Sequence, residues 1–368
     1  MFERANIHRM DGYVPGAQPS APATKLNTNE NPQGPSAAVM AALAGIGPAM
    51  LQRYPDPLST ELRTAIARYH AKGVDQVIAT NGSDELLRLA VTTFADPGTA
   101  IGVLDPGYDL YNVLARIQDC PIARIGLRDD WLPPYDIARQ WNETGARLAL
   151  IANPQAPTGI LLSRDWIMRV AAEFRGVLLI DEAYVDFVDP ALGYDLSAEI
   201  GLVPNLLISR TLSKGHSLAG LRLGYGLGPS HLIAPMLHKV RDSYNIDAIA
   251  QMLGRAAFDD PAHARHGWDL VRSERNRLSL ALEGLGIATL PSQGNFLLAH
   301  VPAATFGDAG MLHTALAGQG IHVRWLNAPR LAQWLRITIG TPAENDRLLA
   351  ALRSTPAIID DHESDDPK

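Results

Sequence analysis

Short apolar runs alternate with amphipathic stretches through the first two thirds of the chain. The runs fall at residues 77–80, 101–104, 122–125, 148–152, 177–180, 206–209 and 222–226. Stretches of helical spacing, such as 61–70, 84–94 and 164–174, lie between several of them. Apolar strands of four or five residues separated by helices predict an α/β fold with a mostly parallel sheet covered on both faces. Seven such strands predict one large domain over 36–245. The preceding residues, 1–35, are rich in Pro, Asn and Gly with little periodicity, and read as an extended arm. Beyond 245 the pattern changes to a long helix at 262–285, short strands at 295–299, 322–325 and 335–339, and a last helix at 343–353. This predicts a smaller α+β domain over 246–355. The end of the chain, 356–368, closes on the acidic "DDHESDDPK" without a large apolar residue, and predicts disorder.

Composition narrows the function. A hydrophobic fraction of 46% over 368 residues suits a soluble protein with a substantial core. A formal net charge of -7 argues against a nucleic-acid surface, which needs clustered Lys and Arg. The single cysteine, Cys120, excludes an internal disulfide framework and suits a reducing compartment. The eleven histidines show no H-x-x-x-H spacing, so no metal site is expected. The start has no apolar leader core, and nowhere do about 18 apolar residues run together. A cytoplasmic protein without membrane contact is the expectation.

"TLSKGHSLAGLRLG" (211–224) holds two cations, Lys214 and Arg222, and no carboxylate. Chance spacing on a solvated loop explains this, and so does an anion that is not part of the chain. "VLLIDEAYVDF" (177–187) ends an apolar strand on Asp181 and Glu182. It mimics the magnesium-binding strand of P-loop ATPases, but the chain has no G-x-x-x-x-G-K-[ST] loop. A carboxylate at that strand end serves a ligand, a helix cap or a salt bridge. Neighbouring strand residues point to opposite faces, so Asp181 and Glu182 do not share one role. "GHSLAG" (215–220) lacks the final glycine of a nucleophile elbow around Ser217. In "TNGSDELL", Gly82 and Ser83, followed by Asp84, lie between a strand and a helix, where backbone N–H groups bind an anion or Ser83 caps the helix. "NPQAPTG" (153–159) is a tight turn after a strand, and Asn153 there can donate a directed hydrogen bond. In "HVRWL" and "WLRITIG", Arg324 and Arg336 sit within short strands, Arg336 projecting opposite Leu335 and Ile337.

Taken in order, these pieces resemble the fold-type-I, pyridoxal-phosphate-dependent aminotransferases. More closely, the chain is similar over nearly its whole length to the histidinol-phosphate aminotransferases. The stretches that carry the resemblance are "GYVPG", "LNTNENPQGPS", "RYPDP", "NGSDELL", "PGYDLY", "NPQAPTG", "IDEAYVDF", "RTLSKGHSLAGLRLGY", "DSYNID", "PSQGNF" and "VRWLNAPRLAQWLRITIGT".

The resemblance implies pyridoxal 5'-phosphate as cofactor and a role for each residue. Lys214 would hold the cofactor aldehyde as a Schiff base and later move the substrate proton, which requires its neutral form for part of the cycle. Arg222, Ser213 and the N–H groups at Gly82 and Ser83 would surround the cofactor phosphate, and Asp84 would be a further cofactor-binding residue. Asp181 would face the ring nitrogen and keep it protonated. Asn153 and Tyr184 would hydrogen-bond the phenolic oxygen, and Tyr108 would stack on the ring. Tyr54 would reach the phosphate of the partner subunit, making a homodimer with shared active sites. Arg324 and Arg336, with Asn153 and with Tyr13 of the arm, would bind the small-molecule substrates, histidinol phosphate and glutamate.

Four positions depart from the family's pattern. Gln155-Ala156 replace the usual Asn-Asn of the turn while Asn153 is kept, Gly107 replaces a common Thr, and Gln33 stands where Tyr, Phe or Leu is commoner. An aromatic amino-acid aminotransferase and a threonine-phosphate decarboxylase of the corrinoid pathway keep the same cofactor as alternatives. A cofactor-sensing regulator domain would need a DNA-binding module that a Pro-rich arm of 35 residues does not supply.

Overall fold

The computed structural model describes residues 2–20 and 22–355. The acidic end expected to be disordered, 356–368, lies outside the described residues. The chain divides into two compact units. The first comprises Met1–Pro15, Glu30–Arg272 and Ser292–Asn295, and the second Gly16–Asn29, Ser273–Pro291 and Phe296–Lys368.

The described strands, in chain order, begin with β1 (Thr24–Lys25), β2 (Val77–Asn81), β3 (Ile101–Asp105) and β4 (Ile122–Gly126). Next come β5 (Leu148–Ala152), β6 (Val177–Asp181), β7 (Leu206–Thr211) and β8 (Leu223–Leu227). The last four are β9 (Phe296–His300), β10 (Ile321–His322), β11 (Arg324–Trp325) and β12 (Trp334–Thr338). All seven strands expected in the first unit form one sheet, in the order β2-β8-β7-β6-β5-β3-β4. Neighbours are parallel from β7 through β6, β5 and β3 to β4, whereas β8 runs antiparallel to both β7 and β2. The reversal of β8 has a consequence for chemistry. It places the start of β8 at the same sheet edge as the carboxyl ends of β2, β3, β5, β6 and β7.

Strand residues alternate between two cores, as a sheet covered on both faces requires. Leu178, Ile180 and Ile208 face one core, packed with Leu62, Ile66, Ile167 and Leu253 from helices. Leu179, Leu207 and Leu150 face the other, with Leu86, Leu87, Leu114 and Ile233. Each such side chain is fully or almost fully buried, a gain of about 1.5–3 kcal/mol apiece. Gly102 of β3 lets the Trp141 indole lie against the sheet: a Cβ there would come within 2.7 Å of the ring.

Two local expectations differ from the structure. The arm is not simply extended. Ala5–His8 forms a short helix, held in the first unit where Arg4 Nη2 donates to Ile117 O at 2.7 Å and Asn6 Nδ2 to Arg116 O at 2.8 Å. These are carbonyls at the end of the helix Leu110–Ile117, which need donors from elsewhere. Further along, β1 pairs in parallel with β10 within the second unit. The strand expected at 322–325 is two strands, because β10 pairs with β1 while β11 pairs antiparallel with β12. The remaining pairing in this unit is β12 with β9, also antiparallel.

Candidate active site

The carboxyl edge of the large sheet gathers most of the candidate residues. Asp181 closes β6 between Ala152 of β5 and Ser209 of β7 and is 4% exposed. Its Oδ2 accepts a hydrogen bond from the Tyr111 hydroxyl at 2.9 Å. Its Oδ1 is buried with no hydrogen-bond partner. Burial pushes this carboxyl up to about 7; the Tyr111 bond opposes the shift, and the charge of Asp84 adds to it. Glu182, next in sequence, turns to a different task. Its Oε2 takes Arg210 Nε and Nη2, each at 2.8 Å, and its Oε1 accepts from the Tyr194 hydroxyl at 2.9 Å. The acid pair therefore splits as strand alternation predicts, one member into a structural ion pair and the other left half-partnered.

Tyr108 follows β3 and belongs to an aromatic chain. Its ring meets Tyr13 edge-on at 5.8 Å and Tyr111 at 5.4 Å. Burial pushes the Tyr108 hydroxyl well above its ordinary value, with Tyr13, Asp84, Tyr184 and Asp181 adding to it. Tyr13, Tyr184, Asp84 and Asp181 are thus all within electrostatic reach of one ring. Tyr111 is a site residue that sequence reasoning missed. The signal was available: it stands three positions after Tyr108, in the same "PGYDLY" stretch.

The helix Gly82–Phe94 starts directly after β2, and no side-chain bond caps it from Asn81. Ser83 is thus not the cap, and the first-turn N–H groups lie at the sheet edge. Gly82 has φ +71°, and a Cβ on it would meet Arg222 Nη2 at 2.8 Å. Arg222 Nη1 donates to Ser213 Oγ at 3.3 Å, and Nη2 lies 3.3 Å from Asp84 Oδ2. The acid missing from the run around Arg222 is supplied by another element. Because both side chains are about half exposed, with 48% accessible on each, the pair adds little stability.

Lys214 sits in the connection 212–222 between β7 and β8. Its backbone is pinned: Asn31 Nδ2 donates to Lys214 O at 2.9 Å, and Trp268 Nε1 to Gly215 O at 2.7 Å. The Asp186 carboxylate presses on Gly215 so closely that no Cβ would fit there. Asn31 and Trp268 were not among the expected residues, since nothing local in their sequence points to position 214.

Two expected residues stand apart. Asn153 has its carboxamide committed inside the protein. Oδ1 accepts from Leu162 N at 2.7 Å, and Nδ2 donates to Leu162 O at 3.1 Å and Tyr194 Oη at 2.9 Å. Both amide hydrogens are used, so the expected bond from Asn153 to a ring oxygen is not available in this arrangement. Tyr54 is 81% exposed and stacks on Tyr244 with ring centroids 4.5 Å apart.

In the second unit, Arg324 and Arg336 are direct cross-strand partners on β11 and β12. Arg336 Nη2 donates to Asn27 O at 3.1 Å, and its guanidinium lies 5.5 Å from the Phe296 ring centroid. Like charges directly opposite each other are unfavourable in a sheet, and an anion between them reverses the sign. Among the described residues, no group of three or more His, Cys, Asp or Glu could hold a metal ion, and no helix is long and apolar enough to cross a membrane.

The histidinol-phosphate aminotransferase of Synechocystis sp. is 41% identical over 352 residues, covering 95% of this chain and 97% of its own. That of Geotalea uraniireducens is 38% identical over 353 residues, 95% of this chain and 98% of its own. The fold matches the crystal structure of histidinol-phosphate aminotransferase from Sinorhizobium meliloti in complex with pyridoxal-5'-phosphate. The TM-score is 0.85 at 22% identity, over 96% of this chain and 98% of that one. Residues 21–352 match the family of aminotransferases of class I and II, and the chain belongs to that family.

Proposed function

We propose that this protein is a pyridoxal 5'-phosphate-dependent histidinol-phosphate aminotransferase. It would convert imidazole-acetol phosphate and glutamate to histidinol phosphate and 2-oxoglutarate, working as a cytoplasmic homodimer. The observation that carries the substrate assignment is the opposed pair Arg324 and Arg336, together with relatives of that name about 40% identical over nearly the whole chain.

The residues fit the cofactor. A buried carboxylate oxygen without a partner, Asp181 Oδ1, suits a protonated ring nitrogen. The uncapped helix start at Gly82, with Ser213 and Arg222 beside it, suits a phosphate. When bound, pyridoxal 5'-phosphate supplies an aldehyde that carries the amino group and a ring that takes up electron density from the substrate Cα. Lys214 would hold the cofactor and, once released, carry the proton to and from the substrate Cα. Asp181 would keep the ring nitrogen protonated, and Tyr108 and Tyr184 would orient the ring. Arg324 and Arg336, with Tyr13, would bind the substrate phosphate or the glutamate carboxylate.

Arg324→Ala tests the substrate. Losing a charge-assisted bidentate contact costs on the order of 2–4 kcal/mol, so kcat/KM with histidinol phosphate should fall roughly 30- to 1000-fold. Glutamate should suffer less if Arg336 carries most of its carboxylate binding. Half-reaction spectra with histidinol phosphate, histidinol, phenylalanine and threonine phosphate complete the test. Better conversion by phenylalanine, or release of carbon dioxide from threonine phosphate, would replace this substrate assignment with the corresponding rival.

The exposed Tyr54–Tyr244 stack supports a shared site. Mixing inactive Lys214→Ala chains with inactive Tyr54→Ala chains should restore activity, since one site of a mixed dimer then draws both intact residues from different chains. No recovery despite demonstrated subunit exchange would count against Tyr54 acting across subunits.

A further inference from the structure

The turn after β5 carries two carboxamides, and they are in opposite situations. Asn153 is saturated, and its bonds lead inward: to Leu162, to the Tyr194 hydroxyl, and through that hydroxyl to Glu182 and Arg210. It acts as a structural brace between the turn and the buried ion pair. Gln155, two residues on, is 3% exposed. Its Oε1 accepts from Thr158 Oγ1 at 2.9 Å, and Thr158 Oγ1 in turn accepts from Ile160 N at 3.3 Å. The backbone is held as well, with Gln155 N donating to Ile160 O at 2.8 Å and Gly159 N to Gln155 O at 2.7 Å. Gln155 is therefore locked in position, yet its Nε2 is buried without a hydrogen-bond partner.

A native protein rarely leaves a buried amide donor unused, because the lost hydration is not repaid. Gln155 lines a small cleft together with Tyr108, Tyr111 and Ala156. Tyr108 is the ring-stacking candidate, and Tyr111 is the hydroxyl that holds Asp181. We infer that Gln155, not Asn153, is the amide of this turn that binds the cofactor, its Nε2 donating to the phenolic oxygen of the pyridine ring. This rests on the cofactor assignment made above. The neighbouring Ala156 has no side-chain donor to compete for that role.

The test reads the bound cofactor itself. A donor to the phenolic oxygen draws charge from it and weakens its hold on the neighbouring imine proton. Removing the donor should raise the pH midpoint of the cofactor's visible absorbance band by roughly one unit, and speed cofactor release several-fold. Gln155→Met keeps the length without the donor, and Gln155→Glu keeps the shape but replaces the donor by an acceptor, so its midpoint should rise further. If either variant folds, takes up pyridoxal 5'-phosphate and keeps the wild-type midpoint and release rate, the inference is overturned, and Nε2 serves only a buried water. A shift on Asn153→Ser without one on Gln155→Met also overturns it. A wild-type chain that takes up no pyridoxal 5'-phosphate overturns the aminotransferase reading along with this one.

Discussion

Lys214→Ala is expected to lose transamination by several orders of magnitude and to bind pyridoxal 5'-phosphate only weakly. Anchor and proton carrier would disappear together, and each alone contributes a large factor. The surrounding loop should survive the change. Its backbone is held by Asn31 and Trp268 through carbonyl oxygens, which alanine retains. The measurement has two parts. Purified wild-type protein should be yellow, and borohydride should fix the cofactor to the peptide containing Lys214. The chain has four other lysines, at 25, 72, 239 and 368. A reduced adduct mapped to any of them would displace Lys214 from the site. Unchanged unfolding of the apo-variant would show that the loss is chemical rather than a failure to fold.

Asp181→Asn should lower the rate of Cα deprotonation by roughly a thousandfold or more, while cofactor occupancy changes far less. Asparagine preserves the shape and the bond from Tyr111 but removes the charge that would keep the ring nitrogen protonated. Full occupancy with unchanged turnover would rule Asp181 out as the ring's partner. A second readout needs no cofactor. In the apo-protein the Asp181 carboxyl titrates near 7 instead of its ordinary 3.8, chiefly because burial penalises its charge. Its favourable contribution is therefore complete below about pH 4 and is lost as the pH rises through 7. Asn cannot ionise, so the apo-variant should gain on wild type between pH 4 and 8, by on the order of 2–4 kcal/mol in urea unfolding. Cofactor should remove this advantage, because a cationic N–H makes the carboxylate the favoured form. A difference independent of pH would mean that Asp181 is already paired in the apo-protein.

The amino-acid pattern alone determined the seven strands of the large sheet and the helices between them. Alternation and apolar run length are local properties, and a strand buried on both faces leaves a plain signature. The same locality made Asp181 and Lys214 legible as residues after strands, and it separated Asp181 from Glu182 by face. What the pattern could not contain is which elements become neighbours. The antiparallel insertion of β8 between β2 and β7 brings Arg222 to the helix start at Gly82 and Asp84. No spacing rule joins residues so far apart in the chain. The four residues 322–325 read as one strand because Val323 and Trp325 alternate with His322 and Arg324, and they split because β1 pairs with His322 while β12 pairs with Arg324 and Trp325. The turn at 153–159 makes the same point at the scale of single atoms. Two amides two residues apart look alike in sequence, and what separates them is that the folded chain brings Leu162 and Tyr194 to Asn153, while Gln155 meets only Thr158 of its own turn.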